Sequence, residues 1–140
     1  MEVSKKTTSP TQPRPLKSLT YPPGTFLRTE NGYFYVVKLS TGRTVLYSIL
    51  TTRVLDSWRP VKVVFAPEES INIPVLGKLK FRDGSLLYSQ ASGRMYLVSE
   101  HKLRHITNPD WLAHLGFSRQ DAVWVSLDEI NLHEKGEPLN

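Results

Sequence analysis

From Tyr21 onward the chain alternates short apolar runs with turn residues, which is typical of a strand-rich fold. Asn31-Gly32 is a strong signal for a β-hairpin, and Thr41-Gly42 indicates a second tight turn. The first half of the pattern therefore predicts a three-stranded meander, then a short helix and a fourth strand. The predicted strands cover residues 25–29, 33–39, 43–47 and 61–65, and the predicted helix covers residues 51–58.

The second half of the chain is predicted to repeat this order of strands and helix. A short helix is predicted between Asn108 and Gly116, because Asn caps a helix start, Pro109 suits the first turn and glycine tolerates the left-handed end. Ser126 and Glu129 have the spacing of a capping box, which predicts one last helical turn. The predicted strands lie within residues 83–88, 94–98, 103–106 and 122–125.

The two halves align over several segments. Gly24 to Leu27 matches Gly84 to Leu87, and Arg43 falls on Arg104 at an offset of 61 residues. We therefore predict a mainly β fold with short helices, in which two tandem, divergent units of a β-meander plus a helix follow an N-terminal arm. The alternative is one ordinary β-rich domain with repetitive hairpins. The predicted boundaries are 1–22 for the arm, 23–77 for the first unit and 78–136 for the second.

Composition places the chain among soluble globular proteins, with 39% hydrophobic and 22% charged residues. The absence of cysteine excludes a disulfide framework and a thiolate nucleophile. The formal charge of +5 is concentrated in the arm, and the rest of the chain is close to balanced. An arm rich in Pro, Ser and Thr is predicted to be disordered by itself and to gain contact area by wrapping a partner. Its basic residues are Lys5, Lys6, Arg14 and Lys17.

The second half resembles a short repeat of bacterial surface and secreted proteins and of tailed-phage virion proteins. The resemblance is carried by Asp83-Gly84-Ser85-Leu86, Tyr96-Leu97-Val98, Arg104-His105-Ile106, the Pro109 helix with Leu115-Gly116-Phe117, and Val123-Trp124-Val125-Ser126 with Glu129. It covers residues 83–130 well and residues 23–72 poorly, because the earlier stretch lacks the proline-containing helix. The resemblance implies an accessory or virion-structural role and brings no catalytic residues.

Candidate chemistry is weak elsewhere in the sequence. His101 and His105 are four residues apart, but on a strand this spacing separates two side chains by about 13 Å, so we predict no metal site and no cofactor. The four histidines are expected at exposed or edge positions. The pairs Glu68-Glu69 and Asp128-Glu129 could supply an acid and a base, yet each follows a strand and better fits helix capping. We predict that the chain is not an enzyme.

Aromatic residues are the best candidates for partner contacts. Strand alternation sends Phe34 to one face and Tyr33 and Tyr35 to the other, and Trp124 is predicted to point away from the face of its flanking valines. Together with the basic residues of the arm, the predicted partner-binding side chains are Tyr33, Tyr35, Trp58, Trp111 and Trp124.

Three functional hypotheses follow from these patterns. The first is a minor structural component of a tailed-phage particle, in the head, connector or tail, made in the host cytoplasm and docked on neighbouring subunits by its β units and arm. The second is a binding module for a cell-wall or surface glycan at the bacterial surface. The third is a nucleic-acid binder acting weakly, in a salt-dependent manner, through the arm alone. The sequence predicts no membrane-spanning segment.

Overall fold

The computed structural model describes residues 21–139 and confirms a mainly β fold with three short helices. Contacts divide the chain into two compact units. The first unit runs to Ser48 and resumes over Lys62–Gly77, and the second unit comprises Ile49–Val61 and Lys78 onward. The segment Ile49–Val61 therefore belongs by its contacts to the second unit, whereas the sequence-based boundaries placed it in the first. No helix within residues 21–139 is long and apolar enough to cross a membrane.

The first unit contains a five-stranded mixed sheet with the order β4-β1-β2-β3-β5. Strands β1 and β2 are antiparallel, with Leu27 opposite Tyr35, whereas β1 and β4 are parallel, with Leu27 opposite Val64. Leu27, Val37 and Leu46 are fully buried, and each buried side chain of this size contributes about 1.5–3 kcal/mol. The strands are β1 (Phe26–Arg28), β2 (Phe34–Ser40), β3 (Arg43–Ile49), β4 (Val63–Phe65) and β5 (Val75–Lys78).

The second unit contains another five-stranded mixed sheet, with the order β10-β8-β7-β6-β9. Strand β7 pairs antiparallel with both β6 and β8, while β9 runs parallel to β6 and β10 runs parallel to β8. One core cluster of this unit is formed by Leu86, Ile106 and Leu112. The strands are β6 (Leu86–Ser89), β7 (Met95–Ser99), β8 (Lys102–His105), β9 (Val123–Val125) and β10 (Glu134–Lys135).

The two sheets share one strand order. In each, three sequential strands form the centre, the fourth runs parallel to the first at one edge, and the fifth lies beside the third at the other edge. The turns that open the units also correspond, because Thr25 Oγ1 donates to the carbonyl of Pro22 and Ser85 Oγ donates to that of Arg82, at 2.7 and 2.6 Å. The two halves of the chain therefore have the same sheet topology.

All three helices are short and lie in the second unit. Helix α1 (Thr52–Ser57) begins at Thr51, whose side chain accepts from the N–H of Val54. Helix α2 (Asp110–His114) follows Asn108, whose Oδ1 accepts from the N–H of Asp110 at 3.0 Å, and ends before Gly116 at φ 83°. Helix α3 (Leu127–Ile130) carries the predicted capping box between Ser126 and Glu129. The left-handed Gly116 and the capping box of α3 are confirmed, whereas Pro109 rather than the predicted Asn108 takes the N-cap position of α2.

Candidate functional site

Trp124 presents the clearest contact surface of the second unit. It lies on the edge strand β9, and 61% of its surface is exposed. Its ring packs against Tyr88 of β6, which lies opposite it in the parallel ladder, with the ring centroids 5.1 Å apart. The next residue, Val125, is fully buried, so alternation along the strand turns Trp124 outward. An aromatic pair fixed in this way offers a large apolar area with little conformational entropy to lose on binding.

Phe65 has the corresponding position in the first unit. It lies on the edge strand β4, opposite Arg28 of the parallel strand β1, and 54% of its surface is exposed. As in β9, the residue that follows the exposed aromatic is fully buried, here Ala66. Each unit therefore presents one outward aromatic on the edge strand that runs parallel to its first strand. The residue pattern of β4 gave no signal for this position, because Phe65 lies within the continuous apolar run from Val63 to Ala66.

The two predicted tyrosines have different environments. Tyr33 precedes β2 in the hairpin loop and is 60% exposed. Tyr35 packs against the first-unit core cluster, and its pKa is raised by burial and by the nearby carboxylate of Glu68. The carbonyl of Tyr33 accepts from the N–H of Thr29 at 2.9 Å, which continues the pairing of β1 with β2 by one residue, and the shared face of the two tyrosines stays a prediction. Only Tyr33 of this pair is exposed for a partner contact.

The other two tryptophans are half-buried. Trp58 donates its Nε1–H to the carbonyl of Lys80 at 2.8 Å, which ties the end of α1 to the segment before β6. Trp111 packs against the second-unit core cluster and meets the ring of His114 edge-on, with the centroids 5.2 Å apart. Both side chains therefore contribute to the packing of the second unit. The four predicted basic contacts of the arm, Lys5, Lys6, Arg14 and Lys17, lie outside the described residues.

Glu129 is a fully buried carboxylate with a complete set of donors. Arg53 donates from Nε and Nη2 at 3.0–3.2 Å, Thr51 Oγ1 donates at 2.6 Å, and Ser126 donates from its backbone N–H and its hydroxyl at 2.8 and 3.0 Å. Desolvation opposes ionisation, but these hydrogen bonds prevail and lower the pKa of Glu129 to about 2. The predicted capping role is confirmed, and the same carboxylate also joins α3 to α1.

His133 is buried, which overturns the expectation that all four histidines are exposed or at edges. Its Nε2 accepts from the N–H of Phe81 at 3.1 Å, so its Nδ1 carries the proton donated to the carbonyl of His101 at 2.6 Å. Both ring nitrogens are thereby satisfied by backbone groups. The sequence could not show this, because the partners of His133 lie 52 and 32 residues away.

The predicted pair His101 and His105 does not share a strand, because His101 lies in the turn before β8 at φ 67°. Among residues 21–139, no three His, Asp or Glu side chains come close enough to hold a metal ion. No known protein family matches the chain, and neither curated proteins nor solved structures provide a significant match.

Proposed function

We propose that this chain is a non-enzymatic interaction protein, and most concretely a minor structural component of a tailed-phage particle. Each unit is proposed to dock on a neighbouring subunit through the exposed aromatic of its edge strand. The exposure of Trp124 beside Tyr88 carries this proposal. Interfaces concentrate binding energy in a few aromatic anchors near their centre, and edge strands offer unpaired backbone groups around such an anchor.

The equivalence of Phe65 and Trp124 supports docking by both units. A residue that only completed a core would be buried, but both are more than half exposed while their following neighbours are fully buried. The recurrence of an outward aromatic at one ladder position fits two copies of a unit that each retain a contact surface. The two anchors differ in size and in the residue beneath them, Arg28 or Tyr88, so the two surfaces suit different neighbours.

Replacing Trp124 with serine is expected to lower incorporation of the protein into particles to about a tenth or less, because an aromatic anchor contributes about 2 kcal/mol or more to an interface. Purified particles carrying each variant would be quantified by mass spectrometry against their most abundant structural protein. Leu39→Ser is the matched control, since Leu39 is 62% exposed on the central strand β2 and away from either edge. Undiminished incorporation of Trp124→Ser, or absence of the native chain from particles, would contradict the proposal.

Deletion of residues 1–20 tests the proposed contribution of the arm. The truncated chain is expected to keep the thermal midpoint of the full chain within about 2 °C, because it retains every strand and helix that the structure describes in residues 21–139. Its incorporation into particles is expected to fall several-fold, since a basic segment that orders on a partner adds contact area. Equal incorporation of the full and truncated chains would remove the arm from the proposal.

A further inference from the structure

A cleft of about 660 Å³ opens in the second unit, between the end of α1, the segment that leads into β6 and the chain that follows α2. Its volume lies in the range of about 300–1,000 Å³ typical of small-molecule sites. Three arginines and three aspartates line it, and Phe117 adds an apolar wall. This cleft is separate from the exposed face of Trp124, which is not among its lining residues.

Arg59 lines the cleft in a backbone conformation that favours glycine. It follows the end of α1 with φ 47°, in the left-handed region where a side chain costs about 1 kcal/mol or more. Helix α2 ends with the same left-handed step, but there the residue is Gly116 at φ 83°. The chain thus uses glycine at one of two equivalent positions and accepts strain at the other. Strain of this kind concentrates where a side chain is needed for function.

The guanidinium groups of two cleft arginines have unused donors. Among the described residues, the side chains of Arg59 and Arg82 make no hydrogen bond or ion pair. Arg53 differs, because its Nε and Nη2 donate to the buried Glu129 and hold it in place. Two arginines with free guanidinium groups therefore line the same cleft as an arginine that is already held in place. A planar guanidinium can bind a pair of oxygen atoms in a bidentate manner.

The charge balance of the cleft decides which ligand these groups suit. Asp56, Asp83 and Asp121 stand against the three arginines, so the lining is formally neutral and gives an anion little net attraction. Asp83 and Asp121 each accept from a backbone N–H, of His101 and Ser118, at 2.9 and 2.8 Å. Interspersed donors and acceptors suit hydroxyl groups, because each hydroxyl both donates and accepts. The wall at Phe117 suits the apolar face of a sugar ring.

We propose that this cleft binds a short neutral oligosaccharide. Arg59 and Arg82 donate to its hydroxyl oxygens, Asp56 accepts from its hydroxyl protons, and a ring lies against Phe117. The site is independent of the docking function proposed above, since it uses none of the edge-strand aromatics. A component that assembles through Trp124 would still leave this cleft open to a glycan.

The Arg59→Gly variant provides the decisive test, because it relieves the backbone strain while removing the proposed ligand contact. The full chain would be applied to an array of neutral oligosaccharides together with trigalacturonate, and a retained sugar would be titrated by calorimetry. We expect the native chain to retain at least one neutral oligosaccharide and Arg59→Gly to bind it about tenfold or more weakly. The thermal midpoint of Arg59→Gly is expected to rise by about 2–5 °C.

Arg82→Ala should weaken binding of the same sugar by a similar factor, whereas Arg94→Ala should bind it normally, since Arg94 is exposed in the same unit but outside the cleft. Failure of the native chain to retain any neutral oligosaccharide would overturn the proposal, as would retention of trigalacturonate alone. Undiminished binding by Arg59→Gly would overturn it too, and a lowered midpoint in that variant would remove the strain argument. None of these results bears on incorporation through Trp124, so the two proposals fail separately.

Discussion

Replacing Glu129 with alanine is expected to lower the free energy of unfolding of the second unit by about 3 kcal/mol. The substitution removes the acceptor for Arg53 and Thr51 and ends the capping box of α3, so several buried donors lose their partner together. Arg53 is half exposed, so water can still hydrate its guanidinium after the substitution. The loss of stability is therefore expected near the lower end of the range for breaking a buried ion pair.

Fluorescence is well suited to this measurement because all three tryptophans, Trp58, Trp111 and Trp124, belong to the second unit. Urea unfolding followed by tryptophan emission therefore reports on the unit that contains Glu129. Asp128→Ala is the matched control, since Asp128 lies in the same first turn of α3 but is exposed. Its loss is expected to stay below about 1 kcal/mol, the scale of a helix-dipole contact. Similar losses for Glu129→Ala and Asp128→Ala would contradict the structural role of the buried carboxylate.

The pH dependence of the same contact has a definite sign. The folded pKa of Glu129, about 2, lies below its ordinary value of 4.5, so the unfolded chain takes up a proton first as the pH falls. The stabilisation is therefore complete above about pH 4.5 and is lost between pH 4.5 and 2. Arg53→Met should raise the pKa of Glu129, because the hydrogen bond from Arg53 is the largest lowering contribution, and the acid transition should move to higher pH.

Much of the fold could be predicted from local pattern because each unit is built from hairpins whose turns are encoded in the sequence. Thr41-Gly42 takes the left-handed conformation at both residues, with φ 50° and 78°, as a two-residue hairpin loop requires. The eight strands that flank such turns or carry long apolar runs were predicted within a few residues. The missed strands, β5 and β10, have weak local signals: β5 contains Gly77, and β10 consists of two charged residues.

The alignment of the two halves of the sequence did not predict the strand register. The third strands begin at Arg43 and Lys102, so the offset of 61 residues that aligned Arg43 with Arg104 does not hold at that point. The ladders also place Val64 and Val123 in equivalent positions, each opposite the leucine shared by the first strands, Leu27 or Leu87. The correspondence of Phe65 with Trp124 emerges only from the register, because apolar alternation fits several alignments equally well.

Some features of the candidate sites could not be predicted from the sequence, because they depend on contacts between residues that are far apart along the chain. Arg53 and Glu129 are separated by 76 residues, and no spacing rule connects them. The strain at Arg59 depends on where α1 ends, which propensity fixes only to within a residue or two. The outward position of Trp124 was predictable, because the next residue, Val125, is buried, although Val123 is also exposed and the alternation of the strand is incomplete.

Acidification from pH 7 to pH 5 is expected to destabilise the second unit through His133. Burial is the main cause of the lowered pKa of this imidazole, and the N–H of Phe81 points at its Nε2, where a second proton would have to bind. Because the folded pKa lies below the ordinary value of 6.5, the unfolded chain binds the proton more readily. Stability is therefore full above about pH 6.5 and falls by at most about 1.4 kcal/mol per pH unit until the folded pKa is reached.

The charged groups around His133 act in both directions. Lys80 and His101 lower its pKa, whereas Asp83 and the hydrogen bond to the carbonyl of His101 raise it. Desolvation is the largest of these effects, so the pKa of His133 stays below its ordinary value. His105 also has a lowered pKa, through desolvation and the nearby Arg94 and Lys135, and it titrates in the same direction. The acid response of the native chain therefore combines two histidines, which single substitutions separate.

His133→Ala is expected to cost about 2–3 kcal/mol at pH 7, because it leaves the N–H of Phe81 and the carbonyl of His101 without their partner and opens a cavity beside the ring of Phe81. The same variant should lose stability less steeply than the native chain between pH 6.5 and 5, as the titrating group is gone. His105→Gln should retain the part of the acid response that His133 supplies. If His133→Ala kept the full acid response, the buried imidazole would not be its source, and the destabilisation would have to arise from surface charge alone.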